Sequence, residues 1–223
     1  MRKFDTPTPV AAVLDIPAGH IRIIASGRAD TTVEVLPADA SRSRDAQTAE
    51  QTTVTHADGV VRIEAPAAKN RVLGASGSLE VTVQLPAGSR VVAKAAGAEL
   101  RGVGRLGDVT FEGAQGAVKL DEAESARLTL AAGDIRVGRL SGSAEISTLK
   151  GDLHIAEAVR GTVTLRTDQG DIAVGAARGV SATLDAGTGY GRVSNSLVNT
   201  GGPAADLTIH ATTAYGDITA RSL

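Results

Sequence analysis

The chain of 223 residues contains no cysteine and no tryptophan, and aromatic residues make up 2% of it, two Phe and two Tyr. Lack of cysteine excludes disulfides, thiolate metal ligands and a cysteine nucleophile, although it does not name a compartment. Lack of rings weakens every reading that needs a sugar platform, stacked single-stranded nucleic acid or an aromatic ligand cage. Charge of one sign is missing too. Lys and Arg total 23 against 25 Asp and Glu, a formal charge of −2 with no long block of either sign. Strong attraction to nucleic acid or to an anionic membrane is therefore not expected. No apolar run reaches the ~18 residues of a membrane helix. The opening MRKFDTPTPVAAVLDIPAGH is broken by Asp5, Pro7 and Pro9 before a signal-peptide core can form. We expect a soluble, cytoplasmic protein without direct membrane insertion, associated with the cell envelope only through a partner.

What is present is 42% hydrophobic residues, enough for a sizeable core built from Val, Ile, Leu and Ala. Internal repetition dominates. Gly107-Asp108-Val109, Gly133-Asp134-Ile135, Gly151-Asp152-Leu153, Gly170-Asp171-Ile172 and Gly216-Asp217-Ile218 share one pattern, which Gly191-Arg192-Val193 fits with Arg for Asp. The successive glycines are 26, 18, 19, 21 and 25 residues apart, a spacing that indicates a solenoid. Each repeat holds a second alternating segment, at 127–130, 144–147, 162–166, 182–185 and 207–210. Two strands per coil follow.

Alternation assigns the faces. Leu128, Leu130, Ile135, Val137, Ile146, Leu153, Ile155, Val163, Leu165, Ile172, Val174, Leu184, Leu207 and Ile209 point inward. Arg136, His154, Thr164, Arg166, Thr183, Asp185, Thr208 and His210 point outward. Gly, Ser and Ala pairs between the strands are turn chemistry. No sustained 3.6-residue apolar stripe appears, so we expect essentially no helix. Upstream, candidate strands are 10–16, 20–25, 31–36, 51–56, 60–65 and 78–85, and Pro17-Ala18-Gly19 and Pro86-Ala87-Gly88 read as two related turns. Stretches 38–50 and 66–78 read as surface loops, the second as a mobile segment. The fold class is all-β: a β-solenoid of two-strand coils, with repeats of about 18–25 residues. We expect residues 1–88 to form a less regular β region capping the stack and residues 89–223 the repeat solenoid, the two as one continuous domain.

The segments FDTP…LDIPAGHIRI and LEVTVQLPAGSRV, followed by coils of the form T-x-x-G-D-I-x-V (148–155, 167–174 and 213–220), resemble a bacterial family. These are the β-strand-repeat candidate adhesins, domain of unknown function 4097. The resemblance covers roughly residues 4 to 223. It implies a β-helical stack without a known catalytic residue, in proteins often exported or membrane-anchored and linked to envelope stress. This chain departs from them in showing no export or anchor segment.

In-register coils would place Asp134, Asp152 and Asp171 in a column at about 4.8 Å separation, where neighbouring exposed charges repel by roughly 0.8 kcal/mol in water. A cation such as Ca²⁺ could relieve that, and close carboxylates are also the raw material of acid and base catalysis. The plainer reading is that each Asp closes its own turn, with Arg136 and Arg166 neutralising the column, and we expect no metal site, cofactor or catalytic residue. Tyr190 and Tyr215 occupy equivalent positions in the last two coils, as a recognition patch or as an aromatic ladder stabilising coils with fewer neighbours. His20, His56, His154 and His210 lack ligand spacing. Gly187-Thr188-Gly189-Tyr190-Gly191 looks like a phosphate loop but opens no helix.

The chain stops three residues after Ala220, so a final coil with unpaired backbone groups is expected at the C-terminus. The reading that follows is a non-enzymatic scaffold that binds a protein partner or self-associates through its solenoid ends, with Tyr190 and Tyr215 as interaction residues. The alternatives are a surface adhesin or Ca²⁺-stabilised ligand-binding solenoid and, further off, a polysaccharide-active β-helix enzyme.

Overall fold

Strands with one apolar side can bury it by winding into a flattened coil, each turn hydrogen-bonded to the next. The computed structural model describes residues 1–66 and 77–223, and in it the strands join one sheet of 17 strands. In chain order these are β1 (Arg2–Asp5), β2 (Ala11–Ser26), β3 (Asp30–Pro37), β4 (Thr53–Ala57), β5 (Val60–Glu64), β6 (Leu79–Pro86), β7 (Arg90–Gln115) and β8 (Val118–Ala132). The regular part continues with β9 (Ile135–Leu140), β10 (Ala144–Lys150), β11 (Leu153–Ala158), β12 (Gly161–Gln169) and β13 (Ile172–Ala176). It ends with β14 (Ala182–Tyr190), β15 (Val193–Ser196), β16 (Leu207–Tyr215) and β17 (Ile218–Ser222). The fold is an all-β solenoid-like stack, as the sequence leads one to expect.

Two faces build the stack. On one, Val109 of β7, Ala126 of β8, Ala144 of β10, Val163 of β12, Ile209 of β16 and Leu184 of β14 follow one another in parallel register. On the other, Val118 of β8, Ile135, Leu153, Ile172, Ile218 and Val193 do the same. The inward set is buried except for Leu184, which is half-buried. Most of the outward set is exposed, with Thr183 and Thr208 half-covered.

The order of the coils departs from the order of the sequence. β16 pairs with β12 on one side and β14 on the other, and β17 lies likewise between β13 and β15. The spatial end of the stack is therefore β14–β15, and the coil containing Tyr215 lies one place inside it. The expectation of an open coil at the C-terminus is corrected accordingly. At the opposite end, β2 lies between β7 and the pair β5 and β6, and antiparallel partners β4, β3 and β1 close the sheet beyond them. There Arg28 and Lys3 hold the Asp30 carboxyl down to about 2.

Three local expectations also change. The expected loop 38–50 gives way to a helix, α1 (Ser43–Gln51), that runs one residue beyond it, and Gly202–Ala204 form a short 3-10 turn. α1, SRDAQTAEQ, has only Ala46 and Ala49 as apolar residues, the latter packed on the core, too little of an apolar stripe to detect. Its Asp45 carboxylate is buried and accepts the Ser78 N–H at 2.9 Å, tying the helix to the start of β6. Candidate strands 10–16 and 20–25 are one strand. Pro17-Ala18-Gly19 lies inside β2, where the chain turns a corner without leaving its ladder, whereas Pro86-Ala87-Gly88 is a turn. Gly19 is required there, at φ +127° with Leu79 O 1.9 Å from where a Cβ would stand. The expected mobile segment, 66–78, lies mostly outside the described residues.

One ring does fit inside. Phe111 is fully buried, and its register column continues as Leu128, Ile146, Leu165, Ala211 and Ala186. Two residues along, Gly113 leaves the room: a Cβ there would lie 3.0 Å from both Phe111 Cε1 and Leu130 Cδ2.

Two substitutions test this packing. Phe111→Ala is expected to cost about 3–5 kcal/mol in a urea melt, as for other buried Phe. At Gly133, φ is +141° and a Cβ would meet the Gly116 carbonyl at 1.9 Å. Gly133→Ala should therefore cost more than the ~1–3 kcal/mol of backbone strain alone, whereas Gly59→Ala, with open space around it, should cost only the strain.

Candidate functional site

The repeated T-x-x-G-D segment lies at the corner between the two faces, and each of its residues has a part there. The glycine lets the neighbouring coil's glycine carbonyl come close: Gly151, Gly170, Gly216 and Gly191 all place that oxygen within 2.2 Å of a hypothetical Cβ. At three of these four corners the threonine satisfies that carbonyl, while Thr148 donates instead to Lys150 O at 3.3 Å. Thr167 Oγ1 donates to Gly151 O at 3.0 Å, Thr213 Oγ1 to Gly170 O at 3.0 Å and Thr188 Oγ1 to Gly216 O at 2.9 Å. The aspartate accepts from the next coil's backbone. Asp134 Oδ1 takes the Asp152 N–H at 3.0 Å, Asp152 Oδ1 the Asp171 N–H at 2.8 Å, and Asp171 Oδ1 the Asp217 N–H at 2.7 Å.

Asp134, Asp152 and Asp171 thus do line up, and Asp217 extends the line because its coil is the inserted one. The column ends on Arg192, whose N–H donates to Asp217 Oδ1 at 2.9 Å and whose guanidinium reaches Asp217 Oδ2 at 3.3 Å. Arg replaces Asp at the outermost described coil, where no further N–H asks for an acceptor. Arg136 pairs with Asp134 at 3.5 Å. Asp108 does not join the column. Its strand register places it beside Ser125, whose Oγ donates to it at 2.6 Å, and the true corner glycine of that coil is Gly116. The long first spacing in the sequence joined two different corners.

Tyr190 and Tyr215 are brought together. Their rings are parallel within 4° and 5.0 Å apart, next to Gln169 in the same register column. Tyr190 remains 71% exposed, since one of its ring faces looks out past the end of the stack. The histidines are dispersed: His210 lies 3.4 Å from Asp185, His20 3.6 Å from Glu99, and His56 packs beside the Phe4 ring. Among the described residues no group of three or more His, Asp or Glu side chains could hold a metal ion. The Gly187–Gly191 segment ends β14 and runs on to β15.

Sequence reading missed a groove of about 1140 Å³ on the outside of the first face. It runs over Ala96, Ala114, Ala131 and Leu149, outward positions where the repeat carries small or apolar residues in place of polar ones. Asp15, Glu112 and Asp168 line it, with Lys94 paired to Glu112 at 3.0 Å, and none of its described lining residues is aromatic. The signal was legible as alanine recurring at the coil period. No helix among the described residues is long and apolar enough to cross a membrane.

The Arg192 N–H donated to Asp217 holds that carboxyl below the usual carboxylate range. A lowered folded-state value stabilises the protein above the unfolded value, about 3.9, and that contribution is lost as pH falls through the folded value. Wild-type stability should fall on acidification below about pH 4, and Asp217→Asn should show a shallower fall in urea melts taken across that range.

Two solved structures share the fold. A candidate adhesin from Bacteroides fragilis aligns over 98% of this chain and 95% of its own, with a TM-score of 0.60 at 14% identity. One from Parabacteroides distasonis aligns over the same shares, with a TM-score of 0.50 at 14% identity. No curated protein matches the chain in sequence. The family model described as Toastrack DUF4097 matches residues 75–221, a span that takes in the Thr-Gly-Asp corners and both tyrosines, and the chain belongs to that family.

Proposed function

We propose that the protein is a non-enzymatic interaction scaffold that docks a protein partner, or a second copy of itself, on the open end of its stack at β14–β15. The observation that carries this reading is where apolar surface is left uncovered. Of the large hydrophobic side chains that stay exposed, Tyr190, Val193 and Val198 belong to the end coil and its continuation, and Tyr215 and Leu223 to the coil beneath. Half-buried Leu184, Ala186 and Leu197 lie among them, so the core is cut open at this end. Large apolar side chains left exposed together at one end of the stack, apart from the groove on the first face, mark a contact surface.

The two edges of that end differ. β15 is short, all four of its residues are exposed, and Asn195 stands at an inward register in line with Ala220 and Val174. A polar residue facing in, together with Arg192 at the corner, discourages a further parallel coil. β14 is nine residues long and offers the better edge for an added strand. The candidate-adhesin description of the two structural relatives supports an interaction role. An enzyme reading has less support, because the corner carboxylates already accept backbone hydrogen bonds and none of the groove's described lining residues is a ring that could hold a sugar.

Tyr190→Ala with Val193→Ser should abolish self-association in light scattering, or capture of a partner, while leaving the melting temperature close to wild type. Tyr215→Ala, which removes the ring beneath, should lower the melting temperature. If both variants lose stability and association is unchanged, the tyrosines are a stabilising ladder and the docking reading falls.

A further inference from the structure

The coil formed by residues 207–222 is a wedge. β14 and β15 make no ladder with β12 or β13 among the described residues; they join the stack only through β16 and β17. The wedge is bonded on both sides. Toward the body, Gly161 N donates to Asp206 O at 2.8 Å, Gly170 N to Tyr215 O at 2.9 Å and Ile172 N to Asp217 O at 2.9 Å. Toward the end coil, Leu207 N donates to Ser181 O at 3.1 Å, Gly216 N to Tyr190 O at 2.9 Å and Ile218 N to Arg192 O at 2.9 Å. Its inward side chains Leu207, Ile209, Ala211, Ile218 and Ala220 are all buried.

A single connection, residues 197–206, joins this wedge to the coil before it. Most of it is exposed and it contains Gly201 and Gly202. It rests on Ser181, whose Oγ accepts the Thr200 N–H at 3.0 Å and the Gly201 N–H at 2.8 Å, and on Ala182, whose N–H donates to Val198 O at 3.1 Å. Val198 N–H also donates to Ser222 Oγ at 2.9 Å and half-buried Leu197 packs on the core, whereas the coil the connection carries is laddered along both of its strands to neighbours on each side.

We infer that residues 207–222 are an exchangeable coil, and that the slot between β12–β13 and β14–β15 accepts the same coil from a second copy of the chain. Every bond of the slot is identical whether the coil comes from its own chain or another. Exchange therefore changes only the path of residues 197–206 and the concentration dependence, the conditions under which elements swap. The order of assembly favours it. In the finished stack residues 182–196 ladder, among the described residues, only onto β16 and β17, so a chain whose slot is still empty offers its β12–β13 edge to whichever 207–222 segment arrives first. This inference rests on the coil order and does not require the docking surface proposed above.

The absence of native cysteine makes the test clean. Thr164 and His210 are paired across β12 and β16 and both are exposed, at a neighbouring-strand distance that a disulfide spans. The full chain carrying Thr164→Cys and His210→Cys is refolded at low and at high concentration, oxidised, and separated by size without reductant. The expected result is a monomer closed within one chain at low concentration, and at high concentration a dimer covalently joined between chains. Monomer alone at every concentration, or a dimer with all its bonds inside single chains, overturns the exchange. The second of these outcomes is a contact at the stack end and leaves the docking surface standing. Deleting Asn199–Ala204 in the same background leaves four residues to make the return and should turn the dimer from the minor into the major species. A folded deletion variant that stays monomeric with its bond within one chain also overturns the inference.

Discussion

The close approach of coils at the Thr-Gly-Asp corner is the contact on which the rest of the stack depends. A glycine with positive φ admits the neighbouring coil's carbonyl where any side chain would collide with it. Once admitted, that carbonyl is turned out of the regular ladder and needs a donor, which the threonine hydroxyl supplies. The N–H that follows needs an acceptor, which the aspartate of the coil beneath supplies. Three corners thereby satisfy half-buried glycine carbonyls that would otherwise cost up to ~1–3 kcal/mol apiece, while the aspartates pair exposed N–H groups. The corner also fixes the register, because a slip of one residue would set a Cβ against a carbonyl and a carboxylate against no donor.

This corner gives the acidic column its meaning. Seen as a row of charges, Asp134, Asp152 and Asp171 call for a cation. Seen as a chain of acceptors, each already has one oxygen committed to a backbone N–H, and the row is closed at Arg192 by a side chain of opposite sign. The same logic gives the end coil its character. It keeps the glycine and the threonine, which look back into the stack, and changes the aspartate, which would look outward. What remains uncovered at this end combines the Tyr190 ring and Val193 with the polar residues of β15 and the Arg192 side chain.

The groove shows how much a repeat can hide. Ala96, Ala114 and Ala131 read individually as ordinary small residues in a chain rich in alanine; only when the coils are laid side by side do they form one shallow surface. The helix α1 was hidden for the opposite reason. Nothing in SRDAQTAEQ repeats, and it is held by one buried carboxylate bond and its packing on β3 and β6 rather than by an apolar stripe.

The sequence by itself determined the all-β class, the two-strand coil, the inward and outward residues and the alignment of three aspartates and two tyrosines. All of these follow from local alternation and from a repeated corner whose chemistry is complete within a few residues. Only the tertiary structure decided which coil lies next to which. Coils that share one corner geometry offer nearly equivalent edges, so local pattern is silent on whether 207–222 stacks outside 182–196 or slips beneath it. That choice is made by long-range pairing, by the ten residues of the connection 197–206, and by Arg192, which can follow an aspartate in the column but cannot serve as an acceptor for another coil.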